Sequence, residues 1–387
     1  MALTRRAAQS MLTRVLNMRE NGLNIVVVAL AAAGMLANSA VAASKKTAKP
    51  AAASVAASES TAKPAPTSGK KEKKVYPSLG EVERLDPALD ELIPPGAKIE
   101  KLSGGFEWAE GPVWDRRLQA ILFSDVPQNR VYRWKEGLKT EVFLSGSGYT
   151  STTPRGGEMG SNGLTMDSSG ALILCQHGDR RVARLERDGK FTSLAEFYLD
   201  RRLNSPNDIV FRSNGDFYFT DPPYGLEGLN KDPKKEIVFN GVYLQRRKGD
   251  LVLLTADLPF PNGIALSPDE KTLYVAVSDT NMPVIVSYQV QKDGTIDKGH
   301  EFFNAKPLLA PERKGVPDGM KVDAKGNLFA TGPGGVLVIS PEGKHLGTIN
   351  TGEPTANCGW GGDGSVLYIT ANKYLCRIQT TTKGKGF

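Results

Sequence analysis

Cysteine and histidine are scarce here, with three of each in 387 residues. Cys175, Cys358 and Cys376 show no CxxC spacing, which argues against a thiolate zinc module, and an odd count cannot complete a disulfide framework. Buried apolar thiols are the plain reading, with a pairing of Cys358 and Cys376 left open. Long helical periodicity is also missing, which argues against a helical bundle. Trp and Phe are absent from the first 75 residues, which carry 12 Lys+Arg against 3 Asp+Glu. The remaining 37 Lys+Arg and 39 Asp+Glu nearly cancel. The formal net charge of +7 therefore describes the N-terminal segment, and no nucleic-acid surface follows from it.

That segment has its own logic. Arg5, Arg6, Arg14 and Arg19 precede an uncharged stretch with the core NIVVVALAAAGMLA and the small-residue run Ala40-Val41-Ala42. The pattern predicts an export signal over residues 1–43, cleaved near Ala42, or else an uncleaved membrane anchor. Either reading places the rest in the periplasm or outside the cell, tethered to the membrane only if the segment is retained. Residues 44–75 are Lys, Ala, Pro, Ser and Thr-rich, a composition that buries too little apolar surface to fold and predicts a disordered linker.

From residue 76 to 387 one unit recurs: a polar residue, a short apolar strand, a tight turn and a returning strand. It reads EGPVWDRRLQAILFSD, SNGLTMDSSGALILCQ, PNDIVFRSNGDFYFTD, PNGIALSPDEKTLYVAVSD, PDGMKVDAKGNLFAT and ANCGWGGDGSVLYITA. The leading residues Glu110, Asn162, Asn207, Asn262, Asp318 and Asn357 are 52, 45, 55, 56 and 39 positions apart. Such spacing suits a four-stranded blade. The expected fold is all-β, a six-bladed β-propeller of four-stranded antiparallel blades around a central metal site.

If each leading residue opens an innermost strand on one face, the second strand returns to that same face. One rim then collects Asp125, His177, Arg180, Arg181, Asp221, Tyr224, Asp279 and Asn372. The long connections 145–161 and 224–240 open on this rim as candidate lids. On the axis, Glu110, Asn207, Asn262 and Asp318 all offer side-chain oxygen, a donor set for a hard divalent cation such as calcium. Against this stands the turn-forming habit of Asn-Gly and Asp-Gly, although every unit has a separate hairpin turn downstream.

The strings FEWAEGPVW, RRLNSPNDIVF, YFTDPPYG, PNGIALSPDEKTLYVA, VPDGMKVDAKGNLFAT and ANCGWGGDGSVLYITA resemble the SMP-30/gluconolactonase/regucalcin-like family, in its bacterial gluconolactonase branch. The resemblance covers about residues 98–387 and implies a lactonase that opens sugar lactones such as glucono-1,5-lactone. It implies Ca2+, with Zn2+, Mg2+ or Mn2+ as alternatives, held by Glu110, Asn262 and Asp318, with Asn207 as fourth ligand or substrate contact. Asp318 matches the acid/base position. Ser205 stands where animal members carry Arg, so their sugar contacts do not transfer. Asn162, His177, Arg180, Asn207 and Tyr224 are the expected substrate contacts, with Asp221 and Asp279 as further rim candidates.

The partner expected is a small lactone, for a monomer or weak dimer. Competing readings are an arylesterase-like ester or phosphoester hydrolase, a tethered non-catalytic binding propeller and, last, a strictosidine-synthase-like propeller.

Overall fold

The computed structural model describes residues 74–387. The signal or anchor expected over 1–43 lies outside the described residues, as does the linker over 44–75 except for Lys74 and Val75.

Six four-stranded antiparallel sheets form the propeller, one of them extended by a fifth strand. The innermost strands are Ala109–Asp115, Ser161–Met166, Ile209–Phe211, Pro261–Leu266, Met320–Val322 and Thr355–Gly361. These open blades 1 to 6. Second and third strands such as Ala120–Asp125, Leu172–Gln176 and Gly335–Ile339 are buried along their whole length, because each blade is covered on both faces, and so they read as continuous apolar runs rather than alternating ones.

The core follows that logic. Six apolar clusters lie one at each junction between neighbouring blades. Between blades 1 and 2, for instance, Leu122, Val131 and Leu144 meet Leu164, Leu172 and Leu174.

The ring closes through the N-terminal side. Blade 6 takes its outer strand, Glu100–Gly104, from ahead of blade 1, paired so that Glu100 faces Arg377 and Gly104 faces Tyr374. Arg377 Nε donates to Glu100 Oε2 at 2.6 Å, which reinforces the seam. Glu81–Arg84 adds the fifth strand to blade 5. No helix among the described residues is long and apolar enough to cross a membrane.

The glycines after the leading residues are not turn glycines. A Cβ on Gly263 would stand 2.1 Å from the Asp318 carbonyl oxygen, and one on Gly111 2.3 Å from that of Asn162. Register shifts between Glu110 and Val113, Ser161 and Leu164, and Pro261 and Ile264 mark bulges at these positions. Each bulge lets one blade's backbone approach the next near the axis.

Hydroxyls stitch the same junctions. Ser124 and Thr220 donate to the backbone carbonyls of Asn162 and Asn262, and Ser278 and Thr331 to those of Pro317 and Ala356.

All three cysteines are buried free thiols. Cys358 and Cys376 both pair in register with Ile369 on the strand between them. Two strand spacings, about 9–10 Å, exceed the reach of a disulfide.

Candidate active site

The second strand of each blade does return to the rim of the leading residues: Ala109 pairs with Asp125, Ser161 with Gln176 and Pro261 with Val277. Glu110, Asn162, Asn207, Asn262 and Asn357 are buried polar residues on this axis, and Asp318 keeps part of its surface open to solvent.

Buried polar atoms normally find partners. Here Asn162 Oδ1, Asn207 Oδ1 and Asp208 Oδ2 have none. Glu110 accepts from its neighbour Gly111 N at 2.9 Å, while Asn262 Nδ2 donates to Ser278 Oγ at 2.9 Å, which leaves the Asn262 amide oxygen free of that bond.

Electrostatics point the same way. Burial pushes Glu110 up to about 8, and the nearby Asp208 and Glu158 charges add to the shift, opposed by hydrogen bonds from Gly111 and Asn357. Burial also raises Asp318 well above the usual carboxylate range, with Glu110, Asp208 and Glu158 adding to it. Asp208 is raised by burial, against the pull of Lys321, whose Nζ lies 4.0 Å from Asp208 Oδ2.

Three carboxylates held this close resist ionising together. Among the described residues no three His, Cys, Asp or Glu side chains by themselves make a metal-sized group. Amide oxygens complete the donor set. Carboxylate and amide oxygens, several unpartnered and without His or Cys, fit a hard cation.

Asp208 was missed as a site residue. It occupies the place that is glycine after Glu110, Asn162, Asn262 and Asp318, and this break in the pattern was its signal. Asn357, counted only as a leading residue, is also in the site, touching both Glu110 and Asp208. Glu158 was missed as well, and no local pattern marks it.

Tyr224 is half-buried, its ring 6.0 Å from that of Phe260 and stacked on it. Its hydroxyl lies near Ser278 and Asn262 and within the field of Asp318, without a partner of good geometry. His177 has no exposure, and its Nδ1 lies 3.3 Å from Glu158 Oε2.

Four expected rim residues take structural places instead. Arg180 donates to the carbonyls of Leu203 at 2.7 Å, Lys234 at 2.8 Å and Arg202 at 3.3 Å, so its guanidinium ties loops together and is not aimed at a ligand. Asp221 accepts from the amides of Asn204 and Ser205, both at 2.8 Å, and thereby clamps the segment ahead of Asn207. Asp125 does the same for Glu107 and Trp108 in blade 1. Asp279 caps its own turn by accepting from Asn281 N at 2.8 Å.

Ser205 donates to Pro222 O at 2.6 Å and accepts from Gly225 N at 2.9 Å, anchoring the TDPPYG turn. Arg201 and Arg202 donate to Glu236 O and Asp179 O, and neither stands in for an arginine at position 205. A cavity of about 330 Å3 beside the rim is lined by Arg155, Arg180 and Arg202 among others, and by none of the axial residues.

The comparisons agree with this architecture. The model of the "SMP-30/Gluconolactonase/LRE-like region" family matches residues 108–373. A gluconolactonase of Zymomonas mobilis is 37% identical over 320 residues, 79% of this chain and 88% of that protein. A Xenopus laevis regucalcin is 27% identical over 290 residues, 71% of this chain and 86% of its own. Among solved structures, a gluconolactonase from Xanthomonas campestris superposes with a TM-score of 0.67 at 29% identity, covering 79% of this chain and 98% of that one. The chain belongs to the SMP-30/gluconolactonase/LRE-like family.

Proposed function

We propose that the protein is a divalent-cation-dependent lactonase that opens hydroxylated lactones such as glucono-1,5-lactone. The observation that carries this reading is the convergence of Glu110, Asp208 and Asp318 with unpartnered amide oxygens on one buried axis. The gluconolactonase relatives support the same chemistry.

Glu110, Asn207, Asn262 and Asp318 would hold the cation, Ca2+ first among the candidates. Once bound, it would polarise the lactone carbonyl and acidify a water.

The remaining work falls to side chains. Asp318 takes a proton from the attacking water, whose oxygen bonds to the carbonyl carbon. The ring C–O bond then breaks, and the same proton passes to the departing ring oxygen, giving the open hydroxy acid. A carboxylate beside a cation is ordinarily a poor base. Burial, and after it the Glu110 and Asp208 carboxylates, press the Asp318 pKa upward, in the direction that works against that loss. Asn162 and Tyr224 line the mouth as donors to substrate hydroxyls.

Hydrolysis of glucono-1,5-lactone, followed as acid release above the spontaneous rate with calcium and then with chelator, tests the reading. Turnover that disappears on chelation is expected. Tight metal binding without turnover would instead favour a binding propeller.

A further inference from the structure

The connection between blades 1 and 2 is a strap pinned to the rim. Arg155 reaches across to the carbonyls of Gly178 and Gly225. Asp179 N donates to Gly148 O at 2.7 Å, and its carboxylate accepts from Thr150 N and Oγ1. Near the end of this strap stands Glu158, with 41% of its side chain exposed and Oε2 3.3 Å from His177 Nδ1.

The imidazole itself has no exposure, and neither of its nitrogens has a hydrogen-bond partner of good geometry. Leaving a buried polar group unpaired costs about 1–3 kcal/mol, so this ring is built to be completed. Two observations place it on the axial site. The Glu158 charge acts on Glu110, Asp318 and Tyr224. Gly225, beside Tyr224, packs on the ring's stem, where an added Cβ would stand 2.7 Å from His177 Cβ.

We infer that Glu158 and His177 form a carboxylate–imidazole pair that recognises a hydroxyl of the bound lactone. Glu158 is the positioning residue: by accepting Nδ1–H it fixes the tautomer. Nε2 is then left as an acceptor, and a substrate O–H donates to it. An imidazole held in this tautomer selects ligands that carry a hydroxyl at that point, because a ligand without one leaves Nε2 unpaired. The inference rests on the lactonase reading and adds to it the group that reads the substrate.

The test uses the full chain with calcium, in wild type, Glu158→Ala and His177→Phe. Each variant should raise KM for glucono-1,5-lactone about tenfold with kcat within about threefold, and the double variant should be no worse than the poorer single one. Imidazole 15N shifts of the wild type should show the Nδ1–H tautomer, and Glu158→Ala should lose that preference. Unchanged KM in both variants, a fall in kcat at constant KM, or an Nε2–H tautomer in the wild type would overturn the pair. The 15N measurement needs only the wild type and decides the matter even where a variant fails to fold. A wild type without lactone turnover removes the lactonase reading and this one with it. Failure of the pair alone looks different: wild-type turnover is normal and the variants match it.

Discussion

Two sets of aspartates face the same rim and behave in opposite ways. Asp125 and Asp221 each receive two backbone amides from the segment ahead of their own inner strand. Asp208 leaves one oxygen unpartnered, and Asp318 owes its raised pKa to burial and to three neighbouring carboxylates. The lesson is that burial alone does not mark chemistry. A buried carboxylate whose oxygens are filled by amides holds the fold together, whereas one facing other carboxylates and bare amide oxygens asks for a cation.

The sharpest test of this contrast exchanges charge for amide at both places. Asp318→Asn should lower kcat about a thousandfold while the protein still folds. Asp221→Asn should leave kcat of the folded protein within about threefold but cost about 3 kcal/mol, since an N–H would face amides that need an acceptor. Steady-state kinetics and denaturant unfolding read the two effects separately.

Glycines offer a second contrast. Gly263→Ala drives a Cβ against the Asp318 carbonyl, at the point where blades 4 and 5 meet, and should destabilise by about 3 kcal/mol or more. Gly137, in a hairpin turn with φ +78° and nothing within 4 Å of its Cβ position, should cost only about 1 kcal/mol as Ala, from left-handed strain alone. Thermal unfolding of the two variants compares them directly.

A third test is pH dependence without metal. Glu110 is raised to about 8 and Asp318 is raised well above its usual range. An acid with a higher pKa in the folded state binds protons more tightly there. Its stabilising contribution is therefore complete below the unfolded value, about pH 4, and is lost as pH rises through the folded value. The metal-stripped protein should lose thermal stability from about pH 4 to about pH 8, and calcium should restore most at the upper end. Asp221, raised to about 7 by burial, titrates in the same direction, and calcium should not remove its share. The smallest effect belongs to Asp279→Ala, under about 1 kcal/mol with activity unchanged, because that side chain only caps its own turn.

These contrasts also explain what the sequence could reveal. Six blades were legible because polar leading residues and hairpin turns recur with the blade, and the buried strands announce themselves as apolar runs. The closing strand Glu100–Gly104 was not legible. It is a short, half-polar edge segment whose partner lies some 270 positions away, and no local pattern encodes that pairing. The axial ligand candidates were readable as oxygen-bearing residues at fixed places in each unit. Asp221 and Arg180 sit on the same rim and resemble chemistry in sequence, but only the direction of their hydrogen bonds reveals a structural role. Glu158 was invisible because its strap carries no periodicity, and its place opposite His177 follows from the way Arg155 and Asp179 fasten the loop.

The most direct test of the account is a calorimetric titration of calcium into the metal-stripped protein, in wild type, a Glu110→Gln/Asp318→Asn double variant and Asp221→Asn. Saturable binding at one site is expected in the wild type and in Asp221→Asn, with none in the double variant. Absence of binding in the wild type, or binding that survives the double substitution, would contradict it.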